Sequence, residues 1–190
     1  MGFEVSNGIE LWRPALFDPR ATPILGNYYG MNGTSAESPG LDILVAQYFP
    51  VHLDATYDRI GVSVQTGAAS GKARLGIYRD ADDDGCPDEL VLDAGEVDCS
   101  TAGDKITTID QHLSAGLYFL ALAVNSAEVM FWMDKTPETP SPLGTGPGIG
   151  YPVYVYRASR AYGALPSSFP VGPSPTNDAW SLAMRLESVD

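Results

Sequence analysis

Apolar and polar residues alternate with a period of two along much of this chain. From Tyr57 to Thr66, Ile60, Val62 and Val64 fall on one side and Arg59, Gly61 and Ser63 on the other, with Asp58 interrupting the pattern. A strand with one buried and one wet face requires that alternation. Leu75 and Ile77 pair in the same way within 74–79, and 105–110 alternates again. Two runs behave differently. Residues 43–51 are mostly apolar, and 116–125 are apolar and aromatic throughout, as a central strand covered on both faces would be. Shorter runs at 90–92, 96–98, 129–133 and 151–156 predict further strands, with Asp93-Ala94-Gly95 as the turn between the first two. The run 180–189 sets Trp180, Leu182, Met184 and Leu186 on one face.

About nine short strands with turn residues between them predict an all-β fold, an antiparallel β-sandwich or jelly roll. No stretch sustains a period near 3.6, and at most one turn of helix is expected near 41–48. The domain is expected over 41–190. Residues 1–40 read as an irregular arm broken by Pro14, Pro19, Pro23 and Pro39, yet carrying Leu11, Trp12, Leu16 and Phe17. Large apolar side chains need something to pack against. The arm therefore either docks on a neighbouring subunit, with those four residues at the interface, or wraps its own sandwich. Two long Pro/Gly-rich loops are expected, at 136–150 and 161–177.

Composition narrows the function classes. The chain has 190 residues, 44% of them hydrophobic and only 18% charged, enough for one ordered domain with a core. Its net charge of −13, with 11 Lys+Arg against 24 Asp+Glu, argues against a phosphate-backbone interface or an anionic membrane surface. No apolar run approaches the ~20 residues of a membrane span, and the first residues lack the basic and apolar regions of a secretory signal. Cys86 and Cys99 lack zinc-ligand spacing. If the chain turns back at 93–95 they meet as a disulfide; otherwise they stay free thiols.

Candidate chemistry centres on residues 80–89, which hold six carboxylates. Like charges that close repel, so the loop is either a splayed, solvated tip or a cage for a hard cation. Asp80, Asp82, Asp84 and Gly85 match positions 1, 3, 5 and 6 of an Asp-x-Asp-x-Asp-Gly calcium loop, and Asp88 falls at position 9. Position 12 holds Val91 where a bidentate Glu belongs. Calcium is the expected cation, on Asp80, Asp82, Asp84 and Asp88. Only two histidines, His52 and His112, are present, and none of the familiar catalytic motifs occurs, so an enzyme is not expected. Trp132, Tyr151, Tyr154, Tyr156 and Tyr162 gather around the two long loops in sequence. They suit a subunit interface, stacking against a glycan, or core packing.

The segments Tyr57-Asp58-Arg59-Ile60-Gly61-Val62, Ala73-Arg74-Leu75-Gly76-Ile77-Tyr78, Leu90-Val91-Leu92-Asp93-Ala94-Gly95 and Leu113-Ser114-Ala115-Gly116-Leu117-Tyr118-Phe119-Leu120-Ala121 resemble a β-sandwich domain recurrent in tailed-phage structural proteins. These include tail-fibre, baseplate and other host-facing components. The resemblance spans residues 43–125 and, more loosely, the last strand. It implies a non-enzymatic virion protein of the tail tip, baseplate or a fibre, with other virion proteins as partners and a host-surface glycan as a further one. A homo-oligomer, taken as a trimer, is expected. A capsid decoration protein of the same fold and a carbohydrate-binding module are the alternatives. The acidic loop departs from the family, whose corresponding loop is shorter and less charged.

Overall fold

The structure, a computed structural model, describes residues 26, 28–30, 35–134, 155–176 and 178–189. They form two antiparallel sheets packed face to face, and no helix occurs among them. The elements are β1 (Tyr28–Gly30), β2 (Ser35–Glu37), β3 (Ile43–Val51), β4 (Ala55–Thr66), β5 (Lys72–Arg79), β6 (Glu89–Asp98), β7 (Gly103–Leu113), β8 (Gly116–Val124), β9 (Met130–Asp134), β10 (Val155–Ser159), β11 (Ser174–Thr176), β12 (Ala179–Trp180) and β13 (Leu182–Val189). One sheet has the order β1-β13-β4-β9-β12, with β7 also on β4 and β2 on β9. The other runs β11-β10-β3-β8-β5-β6.

The period-two pattern is realised directly in β4. Ile60, Val62 and Val64 point into the core, as does Tyr57, although its number has the opposite parity. A bulge reconciles them: Arg59 lies opposite Arg185 and Tyr57 opposite Leu186, leaving Asp58 as the extra residue. Asp58 then faces the guanidinium of Arg185, whose Nε donates to it at 2.8 Å. Tyr57 meets Phe49 of the facing sheet edge-on, with ring centroids 5.7 Å apart. On the other side of the core, Val45, Leu75, Ile77, Leu120 and Leu122 complete the inner layer.

The helical turn envisaged near 41–48 does not form; those residues enter β3, which pairs with β8 and β10. Two strands lie inside the segment read as an irregular arm. Backbone pairing places β1 on β13 and β2 on β9, so residues 28–30 and 35–37 extend the first sheet. Short edge strands of three residues carry too little pattern to announce themselves. Leu11, Trp12, Leu16 and Phe17 lie outside the described residues, as does the loop at 136–150.

The expected turn at 93–95 is also corrected. Residues 89–98 are one continuous strand against β5, with Gly95 opposite Leu75 and Asp93 opposite Gly76, so Ala94 is a bulged residue. Gly95 takes φ of 85°, which suits glycine. Ten residues of strand hold Cys86 and Cys99 roughly 30 Å apart at ~3.3 Å per residue, far beyond disulfide reach. Both cysteines are free, Cys86 partly exposed and Cys99 buried.

The second sheet is covered on its outer side as well. Leu44, Ala46, Tyr78, Phe119, Ala121, Ala123 and Ala158 form a second apolar cluster there, closed over by Leu165 and Phe169. The covering chain, 160–170, acts as a strap. It explains why β3 and β8 lack alternation: neither face of them is wet.

Candidate functional site

Three surfaces hold the residues singled out by sequence: the acidic loop, the strap and the outer face of the first sheet. The loop 80–88 joins β5 to β6. Asp80 accepts hydrogen bonds from the N–H groups of Asp84 (3.1 Å) and Gly85 (2.9 Å), and Asp84 accepts one from Cys86 N–H (2.8 Å). Asp83 and Gly85 take φ of 62° and 83°, so the backbone curls around the Asp80 carboxylate. Carboxylate oxygens of Asp80, Asp82 and Asp84 thereby come within 4.8 Å of one another.

Asp88 does not join them. Its N–H donates to Arg79 O at 3.0 Å and its carbonyl accepts from Phe169 N–H at 2.7 Å, which fixes it at the foot of the hairpin. The expected four-residue set is corrected to three. Each carboxylate has about four lone-pair directions, so the backbone donors leave Asp80 and Asp84 capacity for a cation. Calcium takes about 6–8 oxygens, so most of its shell there would be water or backbone carbonyl.

The aromatic set is divided between opposite sides of the sandwich. Trp132 alternates with the buried Phe131 and Met133 on β9, so its ring faces out from the first sheet, 39% exposed. Tyr156 and Tyr162 belong to the cluster on the outer side of the second sheet. Tyr156 lies edge-on to Phe119 at 5.9 Å, next to Cys86 and the acidic loop. Burial pushes its hydroxyl pKa up, and Cys86, Asp84 and Asp80 push it further. Tyr162 donates to Glu96 at 3.0 Å. No single glycan can stack on Trp132 and on these tyrosines together, because both sheets, packed ~10 Å apart, lie between them. Tyr151 and Tyr154 lie outside the described residues.

The strap is fastened by polar groups that sequence reasoning passed over. Asp93 is the hub. Arg74 Nε reaches both its oxygens at 2.9 Å and Nη2 one of them at 2.7 Å, while Leu165 N–H donates to it at 3.1 Å and Gly95 N–H at 3.1 Å. Burial raises the Asp93 pKa, but the Arg74 guanidinium and the two backbone donors outweigh it, and the carboxyl sits below its usual range. Glu96 is lowered too, by hydrogen bonds from Lys72 and Tyr162. Arg160 N–H donates to Asp42 O at 2.8 Å, and Tyr78 hydroxyl to Pro166 O at 2.8 Å. Ser167 O accepts from Leu90 N–H at 2.9 Å, docking the strap on the edge of β6. Gly76 makes room for it: a Cβ there would stand 2.2 Å from Leu165 Cδ1. The signal was present in the small residues Ala46, Gly76, Ala121, Ala123 and Ala158, set among bulky strand residues.

The described fold and surfaces define a two-sheet antiparallel sandwich with one strapped face and an acidic hairpin. No protein-family model matches the chain, and a search of curated proteins finds no match.

Proposed function

We propose that this chain is a non-enzymatic structural protein of a tailed-phage virion, placed at the tail tip, baseplate or a fibre, with its loops turned toward the host. One observation carries the reading. The four segments that resemble the phage domain fall mainly on β4 of one sheet and on the adjoining β6, β5 and β8 of the other, so they occupy core-forming strands on both sides of the sandwich. β1 pairs with β13 at the edge of the first sheet, and the subunit contacts are assigned to the segment that precedes it in sequence. Calcium on Asp80, Asp82 and Asp84 belongs to the same reading, as a brace on an exposed hairpin.

The experiment is to purify particles made by cells carrying this gene, detect the protein by mass spectrometry and locate it by immunogold labelling. Label at the tail supports the proposal, and label on the head would move the protein to capsid decoration. Absence from particles despite abundance in the lysate would overturn the virion role. Assembly is tested by removing residues 1–25, which spares β1 and β2. The shortened chain should fold with an unchanged melting temperature and sediment as a monomer where the full chain is an oligomer. Removing residues 1–40 should also destabilise the fold, because both edge strands go with it.

A further inference from the structure

We infer that the cleft beside Arg157 is a binding site for a neutral saccharide. The inference deepens the host-facing part of the proposed function and rests on that reading only for where the sugar comes from. The cleft has a volume of about 590 Å³ and opens between β10, β11 and the turn at 170–172. That is within the ~300–1,000 Å³ range of small-molecule sites. β11 pairs only with Val155, Tyr156 and Arg157, so the backbone edge of β10 beyond Arg157 has no strand partner on that side among the described residues. At Gly172, φ of 73° swings the chain away and sets the opposite wall.

The lining gives the ligand its chemistry. Ile43, Pro170, Pro175 and Val171 supply apolar surface, and Val171 stands at the rim fully exposed to solvent. Such surface suits the C–H face of a sugar ring. Arg157 is held by one bond, Nη2 donating to Pro39 O at 2.8 Å. Asp178 is not itself part of the lining, but its Oδ2 stands 3.9 Å from Arg157 Nη1, too far for a hydrogen bond, so an acceptor adjoins the guanidinium at the edge of the cleft. Asp178 is steadied by Thr176 Oγ1, which donates to Oδ2 at 3.0 Å. Adjacent hydroxyls of a sugar fit such a pair, one accepting from the guanidinium and its neighbour donating to the carboxylate.

Charge selects against the other classes. An anionic ligand would approach a chain of net charge −13 with Asp178 adjoining the site, and a cationic one would meet Arg157, the charged residue of the lining. A neutral, hydroxyl-rich molecule with apolar faces satisfies every part of the lining.

The test uses the full chain and saturation-transfer NMR. The probes are methyl glycosides of neutral hexoses, N-acetylhexosamines and neutral disaccharides, with glucuronate and spermidine as charged comparators. At least one neutral probe should bind, and Arg157→Ala should weaken it about tenfold or more, as loss of a charge-assisted hydrogen bond implies. Val171→Asp alters only an exposed rim side chain, so it should keep the fold and also weaken binding. Trp132→Ala should leave binding unchanged. Binding by no neutral probe, by charged probes alone, or with both cleft variants unaffected would overturn the inference. Binding lost only in Trp132→Ala would overturn it too, while leaving surface recognition intact. Sugar binding by a protein missing from virions would support the cleft and defeat the virion reading.

Discussion

Replacing Asp93 by alanine should loosen the strap and lower stability by about 3 kcal/mol. The magnitude follows from what the carboxylate holds. Its charge-assisted pairing with Arg74 is worth ~1.5–3 kcal/mol, and stranding the Leu165 N–H costs ~1 kcal/mol more. The Arg74 and Asp93 side chains are only 20% and 21% exposed, so water screens the pair modestly. For a chain of this size each kcal/mol moves the melting temperature by ~2–4 °C, which gives a drop of about 10 °C. Calorimetry measures the drop, and hydrogen exchange at the Leu165 amide should accelerate with it. Asp93→Asn keeps an acceptor for Leu165 and should lose about half as much. The pH dependence has a definite sign. Asp93 and Glu96 have folded-state pKa values below their ordinary 3.8 and 4.5. Their stabilisation is therefore complete above those ordinary values and drains away as pH falls through the lowered ones. Asp93→Asn should flatten that acid limb. A melting temperature within about 2 °C of wild type in Asp93→Ala, with Leu165 equally protected, would refute the latch.

Gly76→Ala should cost ~1–3 kcal/mol by overpacking, since the new Cβ would stand 2.2 Å from Leu165 Cδ1 and 2.6 Å from Leu92 O. Adding Leu165→Ala should not restore wild-type stability, because the Leu92 carbonyl stays; a double-mutant cycle by urea unfolding measures both. Calcium in excess over its dissociation constant should raise the melting temperature by several degrees and chelator should reverse it. Asp82→Asn should abolish that shift and Asp88→Asn should not, whereas equal melts with and without calcium would leave a solvated turn. Thiol titration should find Cys86 reactive in the native state and Cys99 only after denaturation, since burial pushes the Cys99 thiol up to about 11.

How much was legible in the sequence depended on whether the physics was local. β4 and β13 could be read from alternation because each has one face in the core, and β8 from its unbroken apolar run. The acidic hairpin was read as a loop, and its grouping of Asp80, Asp82 and Asp84 follows from closely spaced residues and local turns. Asp88 was misjudged because its position is set by Arg79 and Phe169, the latter far away in sequence. The Asp93-Ala94-Gly95 triplet has turn chemistry, yet pairing along β5 absorbed it as a bulge that aims the carboxylate at Arg74. β1 and β2 are defined by their partners, and no window around either shows a period.

The strap also decides which surfaces are free for partners. Without it, the second sheet would expose Leu44, Tyr78 and Phe119 together, an apolar patch of the kind that drives association. With it in place, that cluster is covered by a loop tied down by Asp93, Asp42 and the edge of β6. On the opposite side, among the described residues, Ile106 and Trp132 are large exposed apolar side chains. Ile106 lies over Gly61, whose missing side chain lets it settle on the sheet. A protein partner would therefore find apolar contact on the first sheet at Ile106 and Trp132. The acidic hairpin and the Arg157 cleft remain for ions and small polar ligands. Weakening the strap should thus favour self-association through the second sheet, even where the inter-sheet core is untouched.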